Sequence, residues 1–467
     1  MNVRDTGRDL WRTAVAGMLF PAHERLKRHE TVARLRELER TQWLSREEID
    51  ALRVERLQAF LRRAGERVPY YQDLFRTLDF RPGALCSIVD LARLPLLDKP
   101  KIRSLAGALR ARNARRLRPF NTSGSTGEPL VFQLSPERVS HDVAAKWRAT
   151  RWWGVDIGDP EAVLWGSPVE LGAQDRLRTA RDRVFRTRLF PAFAMSQSNM
   201  DGYLDAIRKM RPRMLFGYPS ALQLLAKRAT AQRQDMIDLG IRVAFVTGER
   251  LYDEQRRDIA EVFGCRVANG YGGRDAGFIA HECPAGGMHL SAEDIIVETV
   301  DPKGRPTAPG KPGELVVTHL ATADFPFIRY RTGDVSVLEG RSCACGRGLP
   351  LLGEIQGRAT DFVTAADGTV MHGLALIYTV REQPEVAQFK IIQESLKRTR
   401  VLIVPGAAFG PAVAERIRNG LRQRLGVDVE ISVEQVNQVP TELSGKYRYV
   451  VSHVGPGRGG VTQRGAT

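Results

Sequence analysis

Apolar positions change their period three times along this chain. Over residues 21–75 they recur three and four apart among charges, in HERLKRHETVARLRELERTQWL and SREEIDALRVERLQAFLRRAGERV, which is the spacing of amphipathic helices. Ser45 and Glu48 have capping-box spacing, and Ile49, Leu52, Leu57, Phe60 and Leu61 form an apolar stripe behind them. VPYYQDLF at 68–75 then breaks the pattern. From 130 to 335 short apolar runs alternate with helical ones, as in layered α/β folds. AVLWGSP at 162–168, MLFGYPSAL at 214–222, RVAFVTGER at 242–250 and CRVANGYGG at 265–273 each read as a buried strand ending in a loop, with Ser220 placed to cap the next helix. Loops at the carboxyl ends of strands are where open α/β sheets hold ligands.

Residues 292–335 alternate with period two between Pro/Gly turns, one of them DPKGRP, as antiparallel strands do. Past Gly357 the pattern shrinks to a hairpin (DFVTAADGTV), two strands (QFKIIQES, TRVLIVPG), an amphipathic helix over 410–426 and a strand (VDVEISV). The fold class expected is α/β. A large N-terminal domain of layered sheets and helices, with a β-rich subregion, spans 1–357 and begins with a helical lead-in over 1–80. A small α+β lid follows over 358–455, and a Gly-rich, disordered tail over 456–467.

Composition narrows the class. At 467 residues, 43% hydrophobic and 27% charged, the chain is an ordinary globular sequence too long for one core. No run reaches the roughly 18 apolar residues of a membrane span. Leu10, Trp11, Val15, Met18, Leu19 and Phe20 lie near Arg4, Arg8 and Arg12; Arg12 interrupts the apolar stretch, which argues against a signal peptide. The segment predicts an amphipathic helix packed on the body, with peripheral membrane contact through residues 1–20 left open. Five cysteines fit a reducing cytoplasm better than a disulfide scaffold. The net charge of +16 suits a polyanionic partner, and Lys101, Arg103, Arg110, Arg112, Arg115, Arg116 and Arg118 stand without an acid among them. With 7% aromatics and no nucleic-acid motif, no nucleic-acid partner is expected.

That basic run leads into NTSGSTGEPL at 121–130. Its glycines permit close backbone approach, and its amides and hydroxyls supply converging donors to phosphate oxygens. It lacks the lysine of a Walker loop, and by composition alone it reads rather as a flexible turn; the order of its residues tips the balance to a phosphate loop. Four stretches follow in order: NGYGGRD at 269–275, RYRTGDV at 329–335, GRATD at 357–361 and LSGK at 443–446. A carboxylate at Asp334 is suited to accept both hydroxyls of a ribose. An ammonium at Lys446 is either simply solvated or neutralises charge as it develops in a transition state.

TSGSTGEP with its ordered partners resembles the adenylate-forming superfamily of acyl-CoA synthetases and related ligases. The lead-in ending in VPYY resembles its phenylacetate-CoA ligase-like branch, including members associated with capsular polysaccharide clusters. The resemblance implies that Thr122, Ser123, Gly124, Ser125, Thr126 and Gly127 hold ATP phosphates, and that Gly248, Glu249, Asn269, Gly270, Tyr271 and Gly272 form the adenine site, with Tyr271 stacked on the base. Asp275 is implied near Mg²⁺, Asp334 and Arg358 at the ribose, and Lys446 as the main catalytic residue beside Thr126 and Asp275. Tyr218, Pro219 and Ser220 would border the carboxylate substrate, and rotation near Asp361 would swing the lid. Arg274 stands where Ser or Thr is usual, and Asp275 where Glu is common.

The implied reaction joins a carboxylate to AMP with release of pyrophosphate and then passes the acyl group to CoA. The segment FVTAADGTVMHGLAL departs from the family's CoA-binding segment, so an amine or sugar hydroxyl in capsule assembly stays open as acceptor. A non-catalytic basic nucleotide-binding or membrane-associated protein is the reading of another class; retention of Lys446, Asp334 and the loop opposes it. Separately, Cys283 and His289 in CPAGGMH and Cys343 and Cys345 in CAC are two soft-ligand pairs on turns. They form a candidate tetrahedral structural Zn²⁺ site, also resembled by related sequences, with His281 as an alternative ligand and four unconnected residues as the plain alternative. Cys86 and Cys265 read as buried thiols.

Overall fold

The computed structural model describes residues 10–121, 130–165, 175–192, 195–358, 362–372, 374–439 and 449–454. These divide into two compact units, one of 10–332 with 336–354, the other of 333–335 with 355–439 and 449–454. The first unit opens with helices. Ser45 caps Arg46–Arg67 in the expected box, its hydroxyl accepting from the Glu48 amide at 3.2 Å while Glu48 accepts from the Ser45 amide at 2.7 Å. The break at VPYY is a change of axis. Val68 is extended and Pro69, which has no amide to lose, starts a second helix, Pro69–Thr77.

A short antiparallel pair, β1 (Arg118–Asn121) and β2 (Val131–Leu134), flanks the Ser/Gly loop. The main sheet then begins with β3 (Glu161–Trp165), β4 (Thr187–Pro191), β5 (Met214–Gly217), β6 (Val243–Thr247) and β7 (Arg266–Gly273), all parallel to their neighbours in the order β7-β6-β5-β3-β4. Alternate residues feed opposite faces, which is why these strands read as unbroken apolar runs. Leu164, Leu215, Ala244 and Val246 meet helices Gln197–Met210, Pro219–Ala231 and Asp253–Phe263 through Leu204, Leu222, Leu225 and Ile259. Met214, Phe216, Val243 and Phe245 meet Ala149 of helix Pro136–Arg151 on the other face.

At β7 the sheet turns antiparallel. β8 (Gly277–Glu282) and β9 (Met288–Leu290) fold back as hairpins, and β10 (Ile295–Val300), β11 (Pro312–His319), β12 (Tyr330–Glu339) and β13 (Leu351–Leu352) continue in the order β10-β11-β12-β13-β9-β8-β7. Ser220 does not cap its helix: Tyr218 holds the N-cap place, Pro219 the first turn, and the Ser220 amide is taken by Glu249 at 3.2 Å. In the second unit, residues 334–335 of β12 pair with β14 (Gly357–Arg358), and β15 (Phe362–Thr364) with β16 (Val370–His372). A four-stranded sheet in the order β19-β18-β17-β20, of Glu430–Gln435, Arg398–Pro405, Val386–Ser395 and Val450–Ser452, carries helix Pro411–Leu425. Cys265 is buried as read, but Cys86 is exposed: it lies in an irregular segment where its amide bonds Asp90 and its thiol the nearby Ala84 carbonyl, with no core packed over it.

Candidate functional site

The parallel strands β3, β5, β6 and β7 end side by side, and their last residues bring the predicted pocket together. The Trp165 and Tyr218 rings stack at 4.3 Å between centroids, and Gly248 follows β6 against both of them. Glu249 lies close to Tyr218 while it caps the helix start at Ser220. Burial, then the Glu249 carboxylate, pushes the Tyr218 phenol up, so it stays protonated as a hydrogen-bond donor. Register pairs Val246 with Asn269 and Thr247 with Gly270, which leaves Tyr271 one step past the end of β6. The Asn269 amide is fixed by Glu282 at 2.8 Å, itself paired with Arg256 at 2.9 Å.

β7 and β8 are joined by a turn that carries Arg274 and Asp275. The Tyr330 hydroxyl donates to Asp275 Oδ2 at 2.6 Å, and Lys99 Nζ stands 3.8 Å from the same oxygen. Leu97 bridges β12 beside Tyr330, with its amide on the Arg329 carbonyl and its carbonyl on the Arg331 amide, both at 2.9 Å. That clamp delivers Lys99. A crevice of about 10 Å³, room for roughly one water, lies between Phe132, Arg138, Asp275, His319, Phe327 and Tyr330.

Behind the turn lies a cluster of charges that helix Pro136–Arg151 carries inward. Arg138 Nε reaches both Asp142 oxygens at 3.1 and 3.0 Å, and its Nη2 donates to the Arg274 carbonyl at 3.2 Å. Burial alone would raise the Asp142 carboxyl; Arg138 and then the two imidazoles outweigh it and hold it well below the usual range. His319 Nδ1 accepts the Ala321 amide at 3.2 Å, so the neutral ring carries its proton on Nε2, which faces Asp142 at 3.7 Å. Burial, then Arg138, pushes His319 down to about 3. His141 stands 3.6 Å from Asp142 and 3.5 Å from Asp294, which Arg56 binds at 2.8 Å. His141, Asp142 and His319 have ligand-like spacing, yet a metal ion there would face the Arg138 guanidinium and the protonated face of His319. Gly277, with φ of 94°, passes so close that a Cβ would meet His319 at 2.7 Å.

The AMP-binding enzyme family matches residues 120–323, and the CapK C-terminal domain matches residues 363–453. Protein CapK of Staphylococcus aureus is 21% identical over 453 residues, 94% of this chain and 96% of its own. Phenylacetate-coenzyme A ligase of Thermus thermophilus is 25% identical over 440 residues, 87% of this chain and 97% of its own. The chain belongs to the adenylate-forming superfamily. It stands in the phenylacetate-CoA ligase-like branch that includes CapK. A crystal structure of 2-hydroxyisobutyryl-CoA ligase in the postadenylation state with 2-HIB-AMP has the same fold, with a TM-score of 0.72 at 22% identity over 88% of this chain and 91% of that one.

In this adenylate-forming chain the structure brings Gly248, Glu249, Asn269, Gly270, Tyr271, Gly272 and Asp275 to one edge of the sheet. Asp334 lies in the second unit, directly opposite Arg358 in the β12–β14 pair. Thr122, Ser123, Gly124, Ser125, Thr126, Gly127, the hinge residue Asp361 and Lys446 lie outside the described residues. Sequence reading missed Lys99, Arg138, Asp142, His319, Trp165 and Tyr330 as parts of this edge. The one signal available was Arg138 four residues before Asp142, a helical ion-pair spacing that ordinarily marks a solvated face.

At the other end of β8, Cys283, His289, Cys343 and Cys345 converge, their ligand atoms all within 4.8 Å of one another. Cys283 and Cys343 sulfurs are 3.6 Å apart, and Cys345 Sγ is 3.2 Å from His289 Nε2. His289 Nδ1 faces the Leu349 carbonyl at 3.4 Å, the arrangement that leaves Nε2 a lone pair. Gly287 is a glycine by close approach, because a Cβ there would meet Cys343 Sγ at 2.6 Å. His281 stands outside the cluster, with its ring against Phe278 and Phe245.

Proposed function

We propose that this chain is an ATP-dependent, AMP-forming acid ligase that activates an acyl or aryl carboxylate and passes it to CoA. The observation that carries the reading is the sheet edge where Trp165, Tyr218, Gly248, Glu249, Tyr271 and Asp275 meet, in a chain of a family whose CoA ligases use ATP, Mg²⁺ and CoA. A carboxylate oxygen attacks the α-phosphorus, the bond to pyrophosphate breaks, and acyl-AMP forms. The CoA thiol then attacks the acyl carbon, loses its proton, and AMP leaves. Catalysis of both steps rests on positioning and charge neutralisation.

In this reading Thr122 to Gly127 hold the phosphates, Tyr271 stacks on adenine, Asp334 and Arg358 take the ribose, and Lys446 neutralises charge in the first step. Asp275 serves Mg²⁺, which when bound neutralises phosphate oxygens; Tyr330 and Lys99 orient its carboxylate from the Oδ2 side. The stacked Trp165 and Tyr218 favour an acid with an apolar or aromatic body. Cys283, His289, Cys343 and Cys345 suit a structural Zn²⁺ in ligand type, spacing and imidazole tautomer; bound there, it would tie the β8–β9 turn to the 340–350 loop.

A second reading, transfer to an amine or a sugar hydroxyl, rests on the segment FVTAADGTVMHGLAL, which departs from the CoA-binding segment that the resemblance implies. The test is pyrophosphate release from ATP with a panel of aryl, acyl and amino acids, each with and without CoA. Acid-dependent release with thioester is the expected result, lost in Lys446→Ala. Release without thioester selects the second reading, and no release with any acid overturns both.

A further inference from the structure

Residues 10–26 form a continuous helical segment, π-wound over Val15–Leu19 and α-helical over Phe20–Leu26. Its inner side is accounted for. Val15 and Phe20 pack with Leu35, Leu38, Ala144, Ala145 and Ile157, and the Phe20 and His23 rings meet Phe185 edge-on. Arg12, the charge that interrupts the apolar run in the sequence, turns to the body, 3.8 Å from Asp156 and 3.7 Å from Asp159.

The outer side is built differently from a solvated helix face. Leu10 is 73% exposed, Met18 68%, Leu26 85% and Trp11 45%. The Trp11 indole N–H is already used by the Val184 carbonyl at 3.3 Å, so its outward surface is apolar, and Val184 beside it is exposed too. The sole acid in 10–29 is Glu24, and it is buried, bonded by Thr31 Oγ1 and within 3.1 and 3.2 Å of the His23 and His29 rings. Exposed Arg25, Lys27 and Arg28 close the segment, exposed Arg183 follows on the neighbouring helix end, and Lys27 lies near Arg181 and Arg118. Exposed Glu30 just past the segment and Asp182, paired with Arg181, are the acids nearby, so cations outnumber acids around the face. Large apolar side chains bordered mainly by cations are the marks of a helix that lies in a membrane interface.

We propose that this face docks the protein on an anionic lipid bilayer, the helix lying in the plane with Leu10, Trp11, Met18 and Leu26 among the acyl chains and Arg25, Lys27 and Arg28 at the headgroups. At about 1.5 Å per residue the segment is roughly 25 Å long. No helix among the described residues is long and apolar enough to cross the membrane, so contact is from one side. A second copy of the chain is a poorer occupant, because it would bring these cations against their own images in a protein already at +16. An anionic surface both accepts the apolar residues and pairs the cations.

The test is sedimentation of the full chain with phosphatidylcholine vesicles, with and without about a third of an anionic phospholipid, at low and high salt. The wild type partitions to anionic vesicles at least about tenfold better than to neutral ones, and salt weakens it. Leu10→Glu/Met18→Glu/Leu26→Glu loses about tenfold or more while keeping its melting temperature and its acid-dependent pyrophosphate release, since all three side chains point to solvent. Equal sedimentation of variant and wild type, or no preference for anionic vesicles, overturns the proposal. So does light scattering that shows a wild-type dimer which the triple variant converts to a monomer, because the face would then be a self-interface.

Discussion

β8 has a cluster of potential ligands at each end, and the two are completed in opposite ways. At its start, Asp142, His141 and His319 gather behind the Asp275 turn with a guanidinium already among them, so the protein supplies the countercharge. At its end, Cys283, His289, Cys343 and Cys345 converge as thiols and an imidazole, and burial pushes the Cys283 thiol up to about 11 and the His289 ring down to about 4. The first cluster is a closed ionic set. The second is a set of soft donors that a divalent ion would complete by displacing thiol protons. Spacing alone does not separate a metal site from a salt-bridge cluster; the presence of a built-in cation does.

The largest expected effect comes from the second cluster. Zinc analysis of the purified chain should give about one equivalent, and Cys343→Ser or a strong chelator should remove it and lower the melting temperature by on the order of 10 °C, through several kcal/mol of lost metal binding. A metal-free protein whose melting point ignores chelators would erase the contrast.

Arg138→Ala attacks the first cluster and should cost about 3 kcal/mol, because Asp142 keeps its charge without its partner and the Arg274 carbonyl loses its donor. Rescue of that variant by added divalent metal would mean that the site is a metal site after all. Denaturant unfolding reads both outcomes.

His319 gives a smaller, pH-dependent effect. Its folded pKa of about 3 lies below the 6.5 of the unfolded chain, so the unfolded chain binds more protons in between. Stability from this group is present above about pH 6.5 and is lost as pH falls towards 3, by at most about 1.4 kcal/mol per pH unit. Asp142, also depressed, adds its loss only below its ordinary carboxylate range, so His319→Gln should flatten the slope between pH 6 and 4 by close to one proton. An unchanged slope would show that the ring is protonated in the folded state.

The smallest change is Tyr330→Phe, which removes a 2.6 Å bond to Asp275. It should cost about 1 kcal/mol and raise the Mg²⁺ concentration for half-maximal pyrophosphate release by about fivefold. An unchanged Mg²⁺ dependence would separate Asp275 from the metal.

Much of the α/β layering was legible because its signals are local. Unbroken runs such as AVLW and VAFV state that both faces of a strand are covered, and Ser45 and Glu48 cap a helix three residues apart. Ligand type and order likewise reside in the sequence, which is why the Cys/His set and the family stretches could be named from it.

What the sequence left unstated depends on neighbours far along the chain. Arg138 and His319 are 181 positions apart in number and meet only because helix Pro136–Arg151 lies under the end of β11 and the Asp275 turn. A buried arginine and a solvated one look the same in a sequence, since desolvation belongs to the packed environment and not to the residue type. The N-terminal segment teaches the same point. Its sequence determined that it would be a helix with apolar and basic positions; the tertiary structure decided that Val15, Phe20, Arg12 and Glu24 turn inward and that Leu10, Met18 and Leu26 stay outside, because only packing assigns each side of a helix to core or solvent.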